Sequence, residues 1–293
     1  MEYSDLYADI AERTGGDIYI GVVGPVRTGK STLIKRFMEL MILPEISDEA
    51  FGRRARDELP QSAAGRTIMT TEPKFVPEQA VRLELEGGIE LRARMIDCVG
   101  YLVPGAMGHE EGERPRMVKS PWFDDEVPFD TAAEMGTRKV ICEHSTIGLV
   151  VTTDGSISDI PRENYVEAEQ RVVEELEAIH KPFVILLNCV EPQAPESLAL
   201  AAHLQEKYGH AVLPVSCAEM TQGTIHEVLR QVLLEFPVKE LAFAMPKWVT
   251  MLSAGHWLQQ EIYAAVREYA EGITSMRDSN SMSNCWPPHI SAA

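Results

Sequence analysis

Short runs of β-branched and aliphatic residues alternate along the chain with longer stretches whose apolar positions recur every three or four residues. Runs of the first kind bury as strands and stretches of the second kind as amphipathic helices. Their alternation predicts an α/β fold: a mostly parallel sheet with helices on both faces. Residues 17–23 (DIYIGVV) read as a buried strand. Residues 29–43 read as a helix, with Leu33, Ile34, Phe37, Met38 and Met41 at helical spacing. Residues 80–85 and 90–97 are two strands joined through Gly87-Gly88, a hairpin signal. Further strands are expected at 146–152, 183–188 and 212–216, and helices at 164–179, 198–208 and 224–235.

Two regions break the alternation. Residues 45–77 are rich in charge and turn formers, and residues 100–132 open on Gly100, Pro104, Gly105, Gly108 and Gly112. Long structureless loops are uncommon inside a compact domain, so some helix is expected in these regions. Pro237 marks a boundary. Residues 1–236 are expected to form one domain, and residues 237–280 to begin a following helical one, with a helix at 257–276 carrying Leu258, Ile262, Ala265, Val266 and Tyr269 on one face. Residues 281–293 have too little apolar patterning to fold alone.

Charge narrows the range of partners. With 45 acidic and 27 basic residues the net charge is −18, which repels nucleic-acid backbones and anionic membrane surfaces alike. The longest apolar runs, such as 183–187, are strand-length, so no direct membrane insertion is expected. The acidic, polar start MEYSDLYADIAERT is no secretory signal. The five cysteines are scattered without a CxxC pair, which fits a reducing cytoplasm better than a disulfide framework or a zinc site.

Four motifs carry chemistry. The first, Gly24-Pro-Val-Arg-Thr-Gly-Lys-Ser31, satisfies G-x-x-x-x-G-K-S/T between an expected strand and an expected helix, the context that a phosphate-binding P-loop needs. Backbone N–H groups of such a loop and of the first helical turn converge on a β-phosphate. Gly24 and Gly29 let the backbone approach without a Cβ clash, and Arg27, Thr28 and Thr32 complete the cradle. Lys30 is expected to face solvent and reach the β- and γ-phosphates, while Ser31 ligates Mg²⁺. The second motif is the strand Arg94-Met-Ile-Asp-Cys-Val-Gly100, ending in D-x-x-G: Asp97 is placed for the Mg²⁺ shell and the Gly100 N–H for the γ-phosphate. Turn chemistry at a strand end is the plain alternative. Third, Thr70 and Thr71, in TIMTTEP, are candidates to ligate Mg²⁺ and sense the γ-phosphate, with a strand bearing surface threonines as the alternative.

The fourth is Asn188-Cys-Val-Glu191, where GTPases carry the N-K-x-D guanine reader. Cys189 replaces the lysine and Glu191 the aspartate, and Val215-Ser-Cys-Ala218 only partly matches the second base-contacting loop. Asn188 can still pack against the P-loop. The guanine element is therefore degraded. A water-orienting glutamine often follows D-x-x-G, and here Tyr101 stands in its place, so another group must position the attacking water or turnover is slow.

With these residues the chain resembles the stage IV sporulation protein A family of spore-coat morphogenetic ATPases. The matching stretches are DIAERTGGDIYIGVVG, VRTGKST, DELPQSAAGRTIMTTEPKFVP, DCVGY with VPGA, GTRKVI with EHSTIG and TTDG, and VLPVS, spread over residues 1–280. The resemblance implies a GTPase-like P-loop fold that binds and hydrolyses ATP with Mg²⁺. It implies Lys30 in the phosphate loop, Thr70 and Thr71 as sensor threonines and Asp97 as the metal-binding aspartate. It also implies hydrolysis-driven self-assembly into the basement layer of the spore coat, on the mother-cell face of the forespore. Partners in the family are coat proteins and a small amphipathic membrane-anchor peptide that docks on a C-terminal region. A guanine-nucleotide switch and a non-enzymatic, nucleotide-bound scaffold are the alternatives. The ending SNCWPPHISAA matches nothing expected of the family and looks like a truncation, an altered reading frame or a partial gene, so membrane recruitment and normal assembly are not expected of this chain by itself.

Overall fold

The computed structural model describes residues 17–46, 48–60, 73–85, 89–108, 110–111, 114–238, 240–253 and 255–281. The chain divides into two compact units, residues 1–232 and 233–293.

The first unit is built on a six-stranded sheet. In chain order its strands are β1 (Asp17–Val23), β2 (Lys74–Leu85), β3 (Ile89–Asp97), β4 (Ile147–Thr153), β5 (Phe183–Asn188) and β6 (Val212–Val215), arranged β6-β5-β4-β1-β3-β2. Five strands run parallel, and only β2 pairs antiparallel, with β3. Every residue of β4 and β5 is buried, which a strand manages only when both faces of the sheet are covered. The covering helices are α1 (Lys30–Phe37), α2 (Glu49–Asp57), α3 (Phe129–Lys139), α4 (Val166–Ala178), α5 (Pro195–Tyr208) and α6 (Gln222–Leu234). Val172, Val173 and Leu176 of α4 pack with Val23, Val150 and Ile185 of the sheet in one continuous core.

Several boundaries differ from the pattern reading, each for a local reason. The helix expected over 29–43 is α-helical only to Phe37; Met38–Ile42 widens to a π turn and Leu43–Glu45 tightens to a 3₁₀ turn. Pro44 has no N–H to give the preceding turn, so the α ladder cannot continue through it. β2 starts six residues earlier than the alternation suggests, at Lys74, because its register shifts between Val76 and Val81, around Pro77, and the period-2 pattern is broken there. The Gly87-Gly88 turn lies outside the described residues. The first long loop holds α2, whose N-cap Asp48 accepts from the N–H groups of Ala50 (2.7 Å) and Phe51 (3.0 Å). The second holds two short ladders of two-residue strands, with α3 beginning only at Phe129.

In the second unit, residues 235–238 are tied to residues 274–277. Met276 N–H donates to the Phe236 carbonyl (3.0 Å), Val238 N–H to Thr274 (3.1 Å), and Arg277 pairs with Glu235 (3.0 Å). The helix expected over 257–276 stops at Glu271. Beyond it the Asp278 carboxylate accepts from the backbone and hydroxyl groups of both Thr274 and Ser275, which starts a separate short helix at Met276. The tail from 282 lies outside the described residues.

Candidate functional site

A parallel sheet places the carboxyl ends of its strands along one edge, and the crevice forms where the chain order reverses direction. Here that point is β1, flanked by β4 on one side and β3 on the other. The P-loop leaves β1, Asp97 ends β3, Asn188 ends β5 and Cys217 follows β6. Residues up to 188 positions apart in the chain are thereby brought to one place.

The loop itself is folded by three left-handed residues in six: Gly24 (φ 136°), Arg27 (φ 60°) and Gly29 (φ 94°). Alternating backbone handedness of this kind makes a concave nest of N–H groups. Gly29 caps α1 without a side-chain acceptor, so the first-turn N–H groups face the loop with no internal cap. The position excludes any larger residue: a Cβ on Gly29 would lie 2.2 Å from Asn188 Nδ2. Thr28 is fully buried and its hydroxyl donates to the Pro25 carbonyl (3.0 Å), bracing the loop from inside. Asn188 braces it from outside. Its amide nitrogen donates to the Thr28 carbonyl (2.9 Å) and its amide oxygen accepts from Cys217 N–H (3.0 Å). Asn188 thus links the P-loop to the loop after β6, while Glu191 sits exposed at the surface.

Lys30 corrects the sequence reading. It does not face solvent: it is 5% exposed, and its amine donates to the carbonyls of Pro25 (2.6 Å) and Gly24 (3.3 Å). Burial lowers its pKa, opposed by the charge of Asp97. Asp97 is half-buried, and desolvation raises its pKa against the pull of Lys30 and of a hydrogen bond from Ser31. Ser31 Oγ donates to Asp97 Oδ2 (3.0 Å), so the two metal-ligand candidates already touch. Asp97 Oδ1 is buried and has no hydrogen-bond partner among the described residues. A hydroxyl and a carboxylate with one orphaned oxygen are hard donors that fit Mg²⁺, which takes few protein ligands and keeps the rest for phosphate and water. Thr70 and Thr71 lie outside the described residues.

Two features were not legible beforehand. Tyr101 turns into the core, 2% exposed, and its hydroxyl donates to Glu175 Oε2 (2.5 Å) on α4. The Arg171 guanidinium lies 4.2 Å above its ring and forks onto Glu134 of α3 (2.8 and 3.0 Å). Gly100 N–H, expected to point at phosphate, donates to Thr137 Oγ1 (3.1 Å), also on α3. Nothing in the residues around Thr137 marks it as more than one buried helical position. A third cluster braces the neighbouring strand: fully buried Glu169 of α4 accepts from Thr152 of β4 (2.5 Å), from Arg162 (2.7 and 2.8 Å) and from Tyr208 (2.9 Å).

Residues 1–237 match the family model described as the ATPase domain of stage IV sporulation protein A, and residues 238–288 match the model of its middle domain. The chain belongs to the stage IV sporulation protein A family. It is 55% identical over 278 residues to "Stage IV sporulation protein A" of Bacillus anthracis and, by the same measure, to that of Bacillus subtilis (strain 168). The protein of that name in Clostridioides difficile (strain 630) is 49% identical over 275 residues. These alignments cover 94–95% of this chain and 56% of each relative. The chain therefore spans little more than half the length of the curated relatives it matches. A family ATPase domain implies nucleotide binding. Among the described residues no helix is long and apolar enough to cross a membrane.

Proposed function

We propose that this chain binds ATP in the Gly24–Ser31 loop and hydrolyses it slowly, and that hydrolysis serves self-assembly of the spore-coat basement layer at the forespore surface, in the mother-cell cytoplasm. The observation that carries the enzymatic part is the convergence of buried Lys30 with half-buried Ser31 and Asp97 at the switch point of the sheet. Lys30 would exchange its two loop carbonyls for β- and γ-phosphate oxygens. Mg²⁺, when bound, supplies positive charge to those oxygens, and Ser31 and Asp97 would hold it. Arg27, Thr28, Gly29, Thr32 and Gly100 would shape the walls of the cradle, and Thr70 and Thr71 would sense the γ-phosphate. The assembly part rests on family membership and on the names of the relatives, as do partners among coat proteins and a membrane-anchor peptide. The scaffold reading, binding without turnover, is favoured by one observation: the hydroxyl of buried Tyr101 is committed to Glu175.

Phosphate release from Mg²⁺-ATP, set beside competition calorimetry with ATP and GTP, tests this reading. ATP is expected to bind at least about tenfold more tightly than GTP, since an intact guanine reader would be worth far more than that in the opposite direction. Preference for GTP by the same margin would make Glu191 a base ligand and reverse the assignment. Binding without any release would leave the scaffold.

Asp97→Asn separates the metal's contribution from the loop's. The carboxamide keeps the shape and a partner for Ser31 but loses the anionic oxygen. Mg²⁺-dependent phosphate release is expected to fall about a hundredfold, while Mg²⁺-free ADP binding stays within about twofold of the unmodified chain, because loop N–H groups hold phosphate without the metal. Equal loss of both would assign Asp97 a structural role at the strand end.

A further inference from the structure

The N–H of Gly100 is already in use, and what uses it has a single chemistry available. Thr137 is fully buried on α3, and its one hydroxyl proton goes to the Ala133 carbonyl (2.9 Å). Towards Gly100 the oxygen can therefore only accept, and it does so at 3.1 Å. Gly100 lies against the phosphate-binding lysine: a Cβ there would sit 2.6 Å from Lys30 Nζ and 2.2 Å from the Gly24 carbonyl. Its N–H is thus within one peptide rotation of any group that Lys30 holds.

The neighbouring residue is clamped. Val26 N–H donates to the Tyr101 carbonyl (2.8 Å), the Tyr101 hydroxyl is held by Glu175, and Arg171 ties the ring to Glu134. Glu134 and Thr137 are three residues apart on α3, so one face of that helix grips both residues. With Tyr101 fixed, the peptide between Val99 and Gly100 is the joint that can turn. Gly100 stands at φ 95°, a region that glycine crosses freely and other residues rarely enter.

We propose that Thr137 is a positioning residue for the γ-phosphate. Its hydroxyl and the γ-phosphate compete for the Gly100 N–H, and that competition sets how strongly the chain prefers a triphosphate to a diphosphate. The inference rests on the reading of the Gly24–Ser31 loop as an ATP site. The anionic acceptor is the stronger of the two, since hydrogen bonds to charged groups are roughly twice as strong as neutral ones. The neutral hydroxyl offsets part of that gain, because a triphosphate must first displace it.

Thr137→Val in the full chain keeps the branch and the volume and removes the hydroxyl. The Gly100 N–H then keeps only the weak Cys98 sulfur as acceptor in the free protein and with ADP, and gains a strong one only with a γ-phosphate. Calorimetry with ADP and with a non-hydrolysable ATP analogue, both with Mg²⁺, is expected to show the ratio of analogue to ADP affinity rising about tenfold with ADP affinity unchanged. Thr137→Ser should restore the original ratio. A residue that only supports the fold would weaken both ligands together, and a ratio that stays level or falls overturns the proposal. Should the valine variant not fold, the amide resonance of Gly100 in the unmodified protein gives the same answer. It is expected to differ between the ADP and analogue complexes, and an identical resonance in both overturns the proposal. Failure of the unmodified chain to bind either nucleotide would remove the ATP site itself and the proposal with it, whereas ADP binding with a level ratio removes the proposal alone.

Discussion

Lys30→Ala is expected to lower phosphate release from Mg²⁺-ATP by at least about a hundredfold, the scale seen when one preorganised donor is taken from a reacting oxyanion. Lys30 is the side-chain cation at the centre of the loop, and its burial at 5% exposure means that water cannot stand in for it cheaply. Desolvation also lowers its pKa, and the nearby charge of Asp97 acts the other way. A phosphate arriving there supplies a stronger partner for the ammonium group than two carbonyls do, so binding and charge compensation come from one exchange of partners. The same substitution should affect the resting protein, because it removes the donor to the Pro25 and Gly24 carbonyls and leaves half-buried Asp97 without its main opposite charge. Thermal unfolding without nucleotide should therefore be followed beside phosphate release, and Lys30→Met, which keeps most of the volume, should separate the two effects. Hydrolysis at the unmodified rate in either folded variant would remove the loop from the active site.

Glu169→Ala is expected to be the most destabilising single change in the first unit. The carboxylate is wholly buried and takes three hydrogen bonds, from Thr152, Arg162 and Tyr208, beside a second ion-pair contact with Arg162. Arg162 is itself only 17% exposed, so removing Glu169 leaves a guanidinium and two hydroxyls short of an acceptor in a dry place. Breaking one partner of a buried pair costs about 3–5 kcal/mol, which for a domain of this size lowers the melting temperature by roughly 10 °C. Chemical denaturation of the variant measures it directly. The double variant Arg162→Met with Glu169→Leu is expected to recover much of the loss, because the damage comes from stranding a charge rather than from losing an attraction. A loss under about 1 kcal/mol for Glu169→Ala, the range of exposed pairs, would show that water reaches the cluster. The consequence should extend to the site: Thr152 lies in the carboxyl half of β4, and the Gly24 turn sits so close to this strand that a Cβ there would meet the Val151 carbonyl at 2.3 Å.

The strands and helices of the nucleotide-binding unit were readable because their signal is local. A fully apolar run such as FVILLN has few other fates, and the 3.6-residue period of residues 166–176 states which side faces the sheet. The P-loop was readable for the same reason, since its glycines, lysine and serine must be consecutive to wrap one phosphate. Boundaries slipped where a single residue changed the hydrogen-bonding rules, as at Pro44 and around Pro77. The exposure of Lys30 was misjudged because a lysine in a loop ordinarily faces water, and nothing in GPVRTGKS states that two carbonyls of the same loop will enclose it.

By itself the sequence determined the G-x-x-x-x-G-K-S turn between β1 and α1, the carboxylate at the end of β3 and the order of strands and helices, all of which depend on residues close together in the chain. Only the tertiary structure decided the partners of those groups. Thr137 reaches Gly100 across 37 positions, Glu175 reaches Tyr101 across 74, and Asn188 reaches Thr28 across 160. Each of these contacts is a hydrogen bond between groups that the sheet brings to one edge. A hydroxyl, an amide or a carboxylate looks the same in the sequence whether it meets solvent, a neighbouring backbone or a group from a distant element.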